Sequence, residues 1–400
     1  MNNDLYCLSI RLNSLSVFRA LLSDPVVKGL TDYLSAATHG ADDANTVYAY
    51  SEFVSRLYNS GTDDLGEYIK SLVNDDENCF IKAIGKGETP SDKVRESLRE
   101  DLKTLQETAE LTPEKLRAGL VWSGVLPRWN NSPTDLCKSY FHRAENIGKY
   151  GYGIYARYHM FYIDQDKRIV PVKNPDSTRL TDLVDYEYEK KIILDNTKAL
   201  LDGKPAANIL LTGDAGTGKS STIKAVVNEL YSEGLRILEV RKEQLHEIPS
   251  ILDELTANPL KFILFIDDLS FAKDDDNFSA MKAMLEGSVS AKSQNVVIYA
   301  TSNRRHLVKE KFSDREGDDI HRNDTMQEII SLSERFGIQL TFSRPDKNTY
   351  LDIVHHLAET NGITCSREEL DAAAERFALA RSTRSARAAK QFIDGLISKQ

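Results

Sequence analysis

The sequence predicts an α/β protein in which a parallel five-stranded sheet is preceded by a mostly helical domain and followed by a helical lid. Three observations lead to this prediction. Apolar runs typical of buried strands alternate with helical stretches between residues 178 and 343. A glycine-rich segment joins the first of these strands to a helix. Apolar residues recur at helical spacing near the N-terminus and again over residues 344–400.

Residues 1–120 are predicted to form the mostly helical domain. The spacing of apolar residues is close to 3.6 in the stretches that begin at Leu8 and Ser51. The highly charged stretch 91–105 is expected to be a solvated helix. Because this domain has neither metal-ligand spacing nor a nucleophile beside a base, we expect it to recognise a partner or to serve packing.

Residues 121–177 form a mixed region that ends in a linker to the α/β core. A β-hairpin is predicted over 158–172, with its turn at residues 164–167. Tyrosines crowd the segment 150–162. Such a row would either stack on nucleotide bases or form a strand face that packs on a neighbour. The sequence favours packing.

The glycine-rich segment matches the phosphate-binding loop pattern G-x-x-x-x-G-K-[ST]. It lies between a buried strand at 209–211 and a predicted helix, and its glycines let successive backbone N–H groups turn inward toward an anion. Lys219 would reach the β- and γ-phosphates of a nucleotide, and the Ser220 hydroxyl would ligate Mg²⁺. The predicted phosphate-binding residues are Gly213, Asp214, Ala215, Gly216, Thr217, Gly218, Lys219, Ser220 and Ser221.

Four further strands are expected in the α/β core, after a long helix at 186–201 and the first strand. They are predicted at 234–240, 261–268, 295–303 and 337–342. The strand predicted at 234–240 lies in sequence between the phosphate loop and the acid pair Asp267–Asp268, as in the ASCE division of P-loop NTPases. In that division a central strand also separates the two motifs within the sheet. Polar residues at the carboxyl ends of these strands should therefore meet at one edge.

The paired acids Asp267 and Asp268 follow an apolar strand, which is the arrangement of a Walker B motif. Asp267 would hold Mg²⁺ through water, and Asp268 would polarise the attacking water. The alternative is a solvated turn at the end of a strand. Asn303, at the tip of the next strand, would orient the same water. Since no guanine-reading N-K-x-D motif occurs, ATP is the expected nucleotide.

Arginines near the end of the chain are candidates for contacts to the transferred phosphate. Arg335 precedes the fifth strand. It is either an ordinary surface residue or an arginine finger that projects into a neighbouring subunit's site. Near the start of the last helix, Arg387 is the first choice and Arg384 the second for a lid sensor that reaches back over the phosphates.

The composition is that of an ordinary soluble protein, with 41% hydrophobic and 28% charged residues among 400. No apolar run is long enough to cross a membrane, and no secretory signal is predicted, so no membrane partner is expected. The four cysteines are scattered without a C-x-x-C pair, which favours a reducing cytoplasm over a zinc site or disulfide framework. A net charge of −10 disfavours nucleic acid as a partner.

The phosphate loop, the acid pair, Asn303, Arg335 and the arginine-bearing lid together resemble AAA+ ATPases. The segments 265–271, 299–307 and 331–337 are similar to a bacterial AAA+ family catalogued as a domain of unknown function. The resemblance covers roughly residues 178–400. It implies ATP binding, ATP hydrolysis and activity that depends on a ring or interface between copies of a homo-oligomer, but it supplies no substrate.

Some positions depart from the AAA+ pattern. Asp268 stands where AAA+ proteins usually have glutamate, a base one methylene longer, and this implies slow hydrolysis. The segment 182–187 resembles the one that contacts adenine, with Asp185 where glycine is common. Arg304 and Arg305 lie close enough in sequence to Asn303 to be alternative fingers or contacts to a partner.

Three functions follow as hypotheses. The leading one is an AAA+ ATPase that couples hydrolysis of Mg²⁺–ATP to the remodelling or loading of a macromolecular partner, an unidentified protein recognised by residues 1–170. The second, suggested by Asp268, is a nucleotide-locked switch with little turnover. The third is a loader or initiator that acts on DNA, which Arg304, Arg305 and the tyrosines favour and the acidic charge opposes.

Overall fold

The chain is divided into two compact units, Met1–Arg157 and Tyr158–Gln400. The computed structural model describes residues 3–38, 42–118, 120, 122, 124–269, 281–282, 285, 294–303 and 333–398. Each unit has a hydrophobic core of its own. The units are therefore described separately.

The first unit is helical, as the apolar spacing predicts. Most of its longer helices begin at a side-chain oxygen that accepts a backbone N–H three residues ahead, as Asp42 does from Asn45 and Asp135 does from Lys138. The helices are α1 (Asn3–Asn13), α2 (Pro25–Thr38), α3 (Asp43–Asn59), α4 (Leu65–Asp75), α5 (Cys79–Gly85), α6 (Asp92–Ala109), α7 (Pro113–Arg117), α8 (Leu136–Glu145), α9 (Ile147–Tyr150) and α10 (Ile154–Arg157).

Helix α6 is amphipathic rather than solvated on all sides, which corrects the expectation for the charged stretch 91–105. Leu98, Leu102 and Leu105 are buried on one face. Asp101 is buried on the same side, where one carboxylate oxygen accepts the backbone N–H groups of three consecutive residues, 16–18, at 2.8–3.1 Å. The charged side chain of Asp101 therefore stabilises the turn at residues 16–18 inside the unit, although a charged residue in this stretch was expected to be exposed to solvent.

The second unit contains one seven-stranded sheet, with strand order β2-β1-β4-β5-β6-β3-β7. All neighbours are parallel except β1 and β2. The strands are β1 (Met160–Ile163), β2 (Ile169–Pro171), β3 (Ile209–Gly213), β4 (Leu235–Val240), β5 (Lys261–Ile266), β6 (Val296–Ser302) and β7 (Ile338–Phe342).

The expectation of five strands is wrong, because the predicted hairpin belongs to the same sheet. Strands β1 and β2 form this hairpin, and β1 pairs in parallel with β4. The hairpin thereby extends the sheet beyond β4 by two strands. The α/β class and the mostly parallel sheet are confirmed.

Strand β6 lies between β3 and β5, so a central strand separates the glycine-rich loop from the acid pair. Both faces of these strands are buried, because consecutive residues such as Ile209, Leu210 and Leu211 of β3 are all buried. One cluster contains the helix before β3, α11 (Glu187–Leu201), and the helix after it, α12 (Lys219–Leu230). The strand residues in this cluster include Ile209 and Leu211 of β3 and Ile263 and Phe265 of β5.

The helices after β7 form a small separate core. Tyr350, Val354, Ala374 and Ala389 are buried at its centre. The helices of this lid are α14 (Lys347–Thr360), α15 (Arg367–Ala380) and α16 (Ala386–Ile397), while α13 (Ile248–Thr256) belongs to the sheet region. Among the described residues, no helix combines the length and the apolar character that crossing a bilayer requires.

Candidate functional site

The loop between β3 and α12 has the backbone of an anion cradle. Gly213, Gly216 and Gly218 have φ values of +139°, +81° and +94°. A Cβ atom on Gly213 would lie 2.1 Å from the carbonyl oxygen of Phe342. Because α12 begins at Lys219, the loop delivers the unpaired N–H groups of the first helical turn to the same place.

Lys219 is buried at the centre of this loop. Its ammonium donates to the carbonyl oxygens of Gly213 and Asp214 at 2.9 and 2.8 Å, and to Asn303 Oδ1 at 3.0 Å. Burial lowers the pKa of Lys219, and this effect exceeds the opposing attraction of nearby carboxylates, Asp267 first among them. The side chain is therefore a poorly hydrated cation held by oxygen acceptors that a phosphate could replace.

The acid pair follows β5 and faces the start of α12. Ser220 Oγ donates to Asp267 Oδ1 at 2.6 Å, so the hydroxyl and the carboxylate predicted to hold Mg²⁺ are in direct contact. Asp268 Oδ1 accepts from Asn303 Nδ2 at 2.7 Å. Asp268 has a φ of +53°, in the left-handed region that residues with a side chain rarely adopt.

Asn303, directly after β6, connects the two halves of the site. Its amide oxygen contacts Lys219 and its amide nitrogen contacts Asp268. The structure thus brings together Lys219, Ser220, the acid pair and Asn303 at the carboxyl edge of the sheet. This is the convergence that the strand-end pattern predicts.

Thr301 is a site residue that the sequence analysis missed. Its hydroxyl donates to Asp267 Oδ1 at 2.5 Å and accepts the N–H of Asp268 at 3.0 Å. A threonine inside an apolar strand is ordinary in sequence. The available signal is its position two residues before Asn303, because side chains two residues apart along an extended segment point to the same side.

The lid approaches the glycine-rich loop at the first turn of α16. The backbone N–H of Arg387 donates to the carbonyl oxygen of Gly216 at 3.3 Å. A Cβ on Gly216 would lie 3.0 Å from the Cβ of Arg387. Arg384 instead forms a two-pronged pair with Glu375, at 3.1 and 2.9 Å. Of the two sensor candidates, Arg387 lies at the loop and Arg384 is engaged within the lid.

A cavity of about 370 Å³ separates the lid from the tip of the loop. Three arginines line it, Arg344, Arg381 and Arg387, of which Arg344 was not singled out in the sequence. Arg344 Nε lies 3.4 Å from Asp214 Oδ2. The lining residues are Asp214, Ala215, Arg344, Arg381, Thr383, Ser385, Arg387, Ala388 and Gln391. The excess of guanidinium groups makes this cavity suited to an anion.

Arg335 is not brought to this site within one chain. It precedes β7, and β7 runs parallel to β3, so Arg335 comes before the amino end of a strand whose carboxyl end faces the loop. Its side chain is half-buried. Arg304 and Arg305, the alternative fingers, lie outside the described residues.

The segment that resembles an adenine contact lies between the end of β7 and the lid. Asp185 and Tyr186 have φ values of +76° and +64°, which explains why glycine suits the first of these positions. The Tyr186 hydroxyl donates to the carbonyl oxygen of Ser343, and its ring lies 4.6 Å from that of Phe342. Burial raises the pKa of Tyr186.

The predicted tyrosine row does not form a single surface. Tyr152 and Tyr155 are buried in the helical unit. Tyr162 is exposed on β1 in the other unit. Packing, the use that the sequence favours, holds for the first two.

The oxygen atoms of Ser220 and the acid pair are suited to a magnesium ion. Ser220 and Asp267 offer a hydroxyl and a carboxylate oxygen, the hard ligands that Mg²⁺ prefers, and phosphate oxygens would supply others. Within the described ranges, no three His, Cys, Asp or Glu side chains form a metal-binding group. Ser220 and Asp267 alone would leave the coordination of a magnesium ion incomplete.

Comparison with protein families finds a match for the second unit. The model of a family described as "Protein of unknown function (DUF815)" matches residues 156–400. The match begins within two residues of the division between the two units. No curated protein matches the chain.

Proposed function

The chain belongs to the DUF815 family of proteins of unknown function, and from that premise we propose that it is an ATPase of the AAA+ type that binds and hydrolyses Mg²⁺–ATP. The observation that carries the proposal is the contact of Ser220 with Asp267 directly beside the buried Lys219. A strand order with β6 between β3 and β5 supports it. This strand order is the one expected of the ASCE division of P-loop NTPases, and it therefore supports the proposal.

We assign a separate role in nucleotide binding to each group of residues at the loop. Backbone N–H groups at residues 213–221 would hold the phosphates, and the Lys219 ammonium would exchange its carbonyl acceptors for phosphate oxygens. Ser220 and Asp267 would hold Mg²⁺, which neutralises phosphate charge when bound. Arg387, which lines the cavity beside the loop, would add a cation from the lid.

We assign the activation of the attacking water to Asp268, the second residue of the acid pair. Asp268 would accept the proton of the attacking water, and Asn303 would orient that water while it holds the Asp268 carboxylate. Arg335 precedes the amino end of β7, whereas the loop lies at the carboxyl end, so we propose that Arg335 serves the site of a neighbouring copy in a homo-oligomer. Residues 1–170 would recognise the macromolecular partner that is remodelled.

The proposal is tested by measuring phosphate release from ATP in the presence of Mg²⁺. Wild-type protein should turn over ATP, while Lys219→Ala should lose binding and turnover and Asp268→Asn should lose turnover alone. Lys224→Ala is the matched control, because Lys224 lies on the same helix but pairs with Glu239, away from the loop. Wild-type activity in both site variants would contradict the proposal.

A second candidate is a switch that holds ATP with little turnover. Asp268 is one methylene shorter than glutamate, and its carboxylate is already engaged by Asn303 at 2.7 Å. Single-turnover measurement of bound ATP separates the two functions. Release of phosphate within minutes supports the ATPase, whereas intact ATP after hours on a stable assembly supports the switch.

A further inference from the structure

Thr301, the penultimate residue of β6, is almost fully buried, with 2% of its surface exposed. Its side chain and backbone make three hydrogen bonds to the acid segment that follows β5. The hydroxyl donates to Asp267 Oδ1 and accepts the N–H of Asp268. Its carbonyl oxygen accepts the N–H of Leu269 at 2.7 Å. One residue thus contacts three consecutive residues of the proposed catalytic turn.

The hydroxyl of Thr301 determines which oxygen of Asp267 is available. Ser220 and Thr301 both donate to Oδ1. Within the described part of the chain, Asp267 Oδ2 accepts no hydrogen bond. With two donors on one oxygen, rotation of the carboxylate is restricted. The other oxygen would be the one that accepts hydrogen bonds from water molecules around a bound Mg²⁺.

The same residue supports the unusual backbone of Asp268. A left-handed conformation at a residue with a side chain is unfavourable and persists only where its surroundings impose it. Thr301 receives the N–H groups on both sides of this conformation, from Asp268 and Leu269. Leu269 is fully buried and anchors the end of the turn. The direction of the Asp268 carboxylate therefore depends on Thr301.

We propose that Thr301 is a positioning residue that orients both acids of the site, Asp267 for magnesium and Asp268 for water. This inference rests on the proposed function. A purely structural role would be that of any buried threonine whose hydroxyl satisfies a backbone group. The difference is that a positioning residue changes the response to Mg²⁺ and the turnover number, whereas a structural one changes stability.

The test compares Thr301→Val, which keeps the shape and removes the hydroxyl, with Thr301→Ser, which keeps the hydroxyl. Binding of a fluorescent ATP analogue without Mg²⁺ should be unchanged in both within about twofold, because the phosphate loop is intact. Thr301→Val should require roughly tenfold more Mg²⁺ for tight binding and lose about tenfold or more in kcat, with KM little changed, since hydrogen bonds to a charged group are lost. Thr301→Ser should restore both within about threefold.

The matched control is Thr212→Val, because Thr212 is a buried threonine on the adjacent strand β3 whose hydroxyl bonds to Thr341 and Leu340. It should leave the Mg²⁺ response unchanged. If Thr301→Val does not fold, Thr301→Cys is the second variant, because its thiol is only a weak hydrogen-bond donor and acceptor. A combination with Asp267→Asn should add little further change in the Mg²⁺ response if Thr301 acts through Asp267.

A wild-type Mg²⁺ response and kcat in Thr301→Val would overturn this inference while the ATPase proposal stands. Equal impairment of the serine and valine variants, or effects that add to those of Asp267→Asn, would also overturn it. If wild-type protein shows no Mg²⁺-dependent binding of the analogue, the proposed function fails and the inference fails with it. The behaviour of the wild type therefore distinguishes the two failures.

Discussion

The candidate site is formed by polar side chains that follow three neighbouring strands of the sheet. Lys219 follows β3, the acid pair follows β5, and Asn303 follows β6 between them. Each of these residues could be identified in the sequence, because a strand that ends in a polar residue is a recognisable pattern. Thr301 and Arg344 could not, since a threonine within a strand and an arginine after one occur in any α/β protein.

The two arginines considered for the lid sensor should behave differently when removed. Arg387→Ala should weaken binding of ATP by about tenfold, because it removes a cation from the cavity beside the loop. Arg384→Ala should leave ATP affinity within about twofold and lower the melting temperature, since it breaks the pair with Glu375. Equilibrium binding and thermal melts check this, with exposed Arg376→Ala as the control. Weaker binding in Arg384→Ala alone would reverse the assignment.

Packing between distant elements accounts for what the sequence could not predict. The local pattern predicts the hairpin of β1 and β2. It does not predict that β1 pairs with β4, because β4 lies about 70 residues later in the chain. Local periodicity identifies a strand and does not identify its neighbour. The buried face of α6 escaped prediction for a related reason, because charged residues outnumber the leucines that pack.

Asp101 should be a major stabilising residue of the helical unit. Asp101→Ala leaves three N–H groups at residues 16–18 without their acceptor, two of them buried, and should cost about 3 kcal/mol in the free energy of unfolding. Asp101→Asn retains an acceptor and should cost less. Urea denaturation measures both, with exposed Glu100→Ala as the control. Equal stability of Asp101→Ala and wild type would contradict the assignment.

The lid should show a pH dependence set by Glu375. The hydrogen bond from Arg384 lowers the pKa of Glu375 below its ordinary value of 4.5. A carboxyl with a lowered pKa in the folded state stabilises above its unfolded pKa and loses this contribution as the pH falls through the folded one. The melting-temperature difference between wild type and Glu375→Gln should thus be constant above about pH 5.5 and shrink below about pH 4.5. A melting-temperature difference that does not change with pH would contradict a stabilising role for the ionised Arg384–Glu375 pair.

At the scale of the whole molecule, the chain consists of a helical unit and an α/β unit that carries the family's sequence. The family match begins at residue 156 and the second unit at Tyr158, close to the start of β1. The site lies entirely in this second unit. The sequence predicts this arrangement of helical and α/β parts because periodicity changes along the chain, but the position of the hairpin required the structure.

The start of the α/β unit can be tested with two fragments. A fragment of residues 158–400 should be soluble and melt cooperatively. One of residues 178–400 lacks β1, leaves the edge of β4 unpaired, and should aggregate or melt at lower temperature. Size-exclusion chromatography and circular dichroism distinguish them. Equal solubility and melting would show that the hairpin is dispensable to the sheet.

The most direct measurement is a calorimetric titration of ATP with Mg²⁺ into the full-length protein. Wild type should release or absorb heat that saturates at one nucleotide per chain, and Lys219→Ala should bind at least about tenfold more weakly because a buried cation is lost. The Lys224→Ala control should match wild type. No heat from the wild type at millimolar ATP, together with no displacement of a fluorescent analogue, would contradict nucleotide binding at this loop.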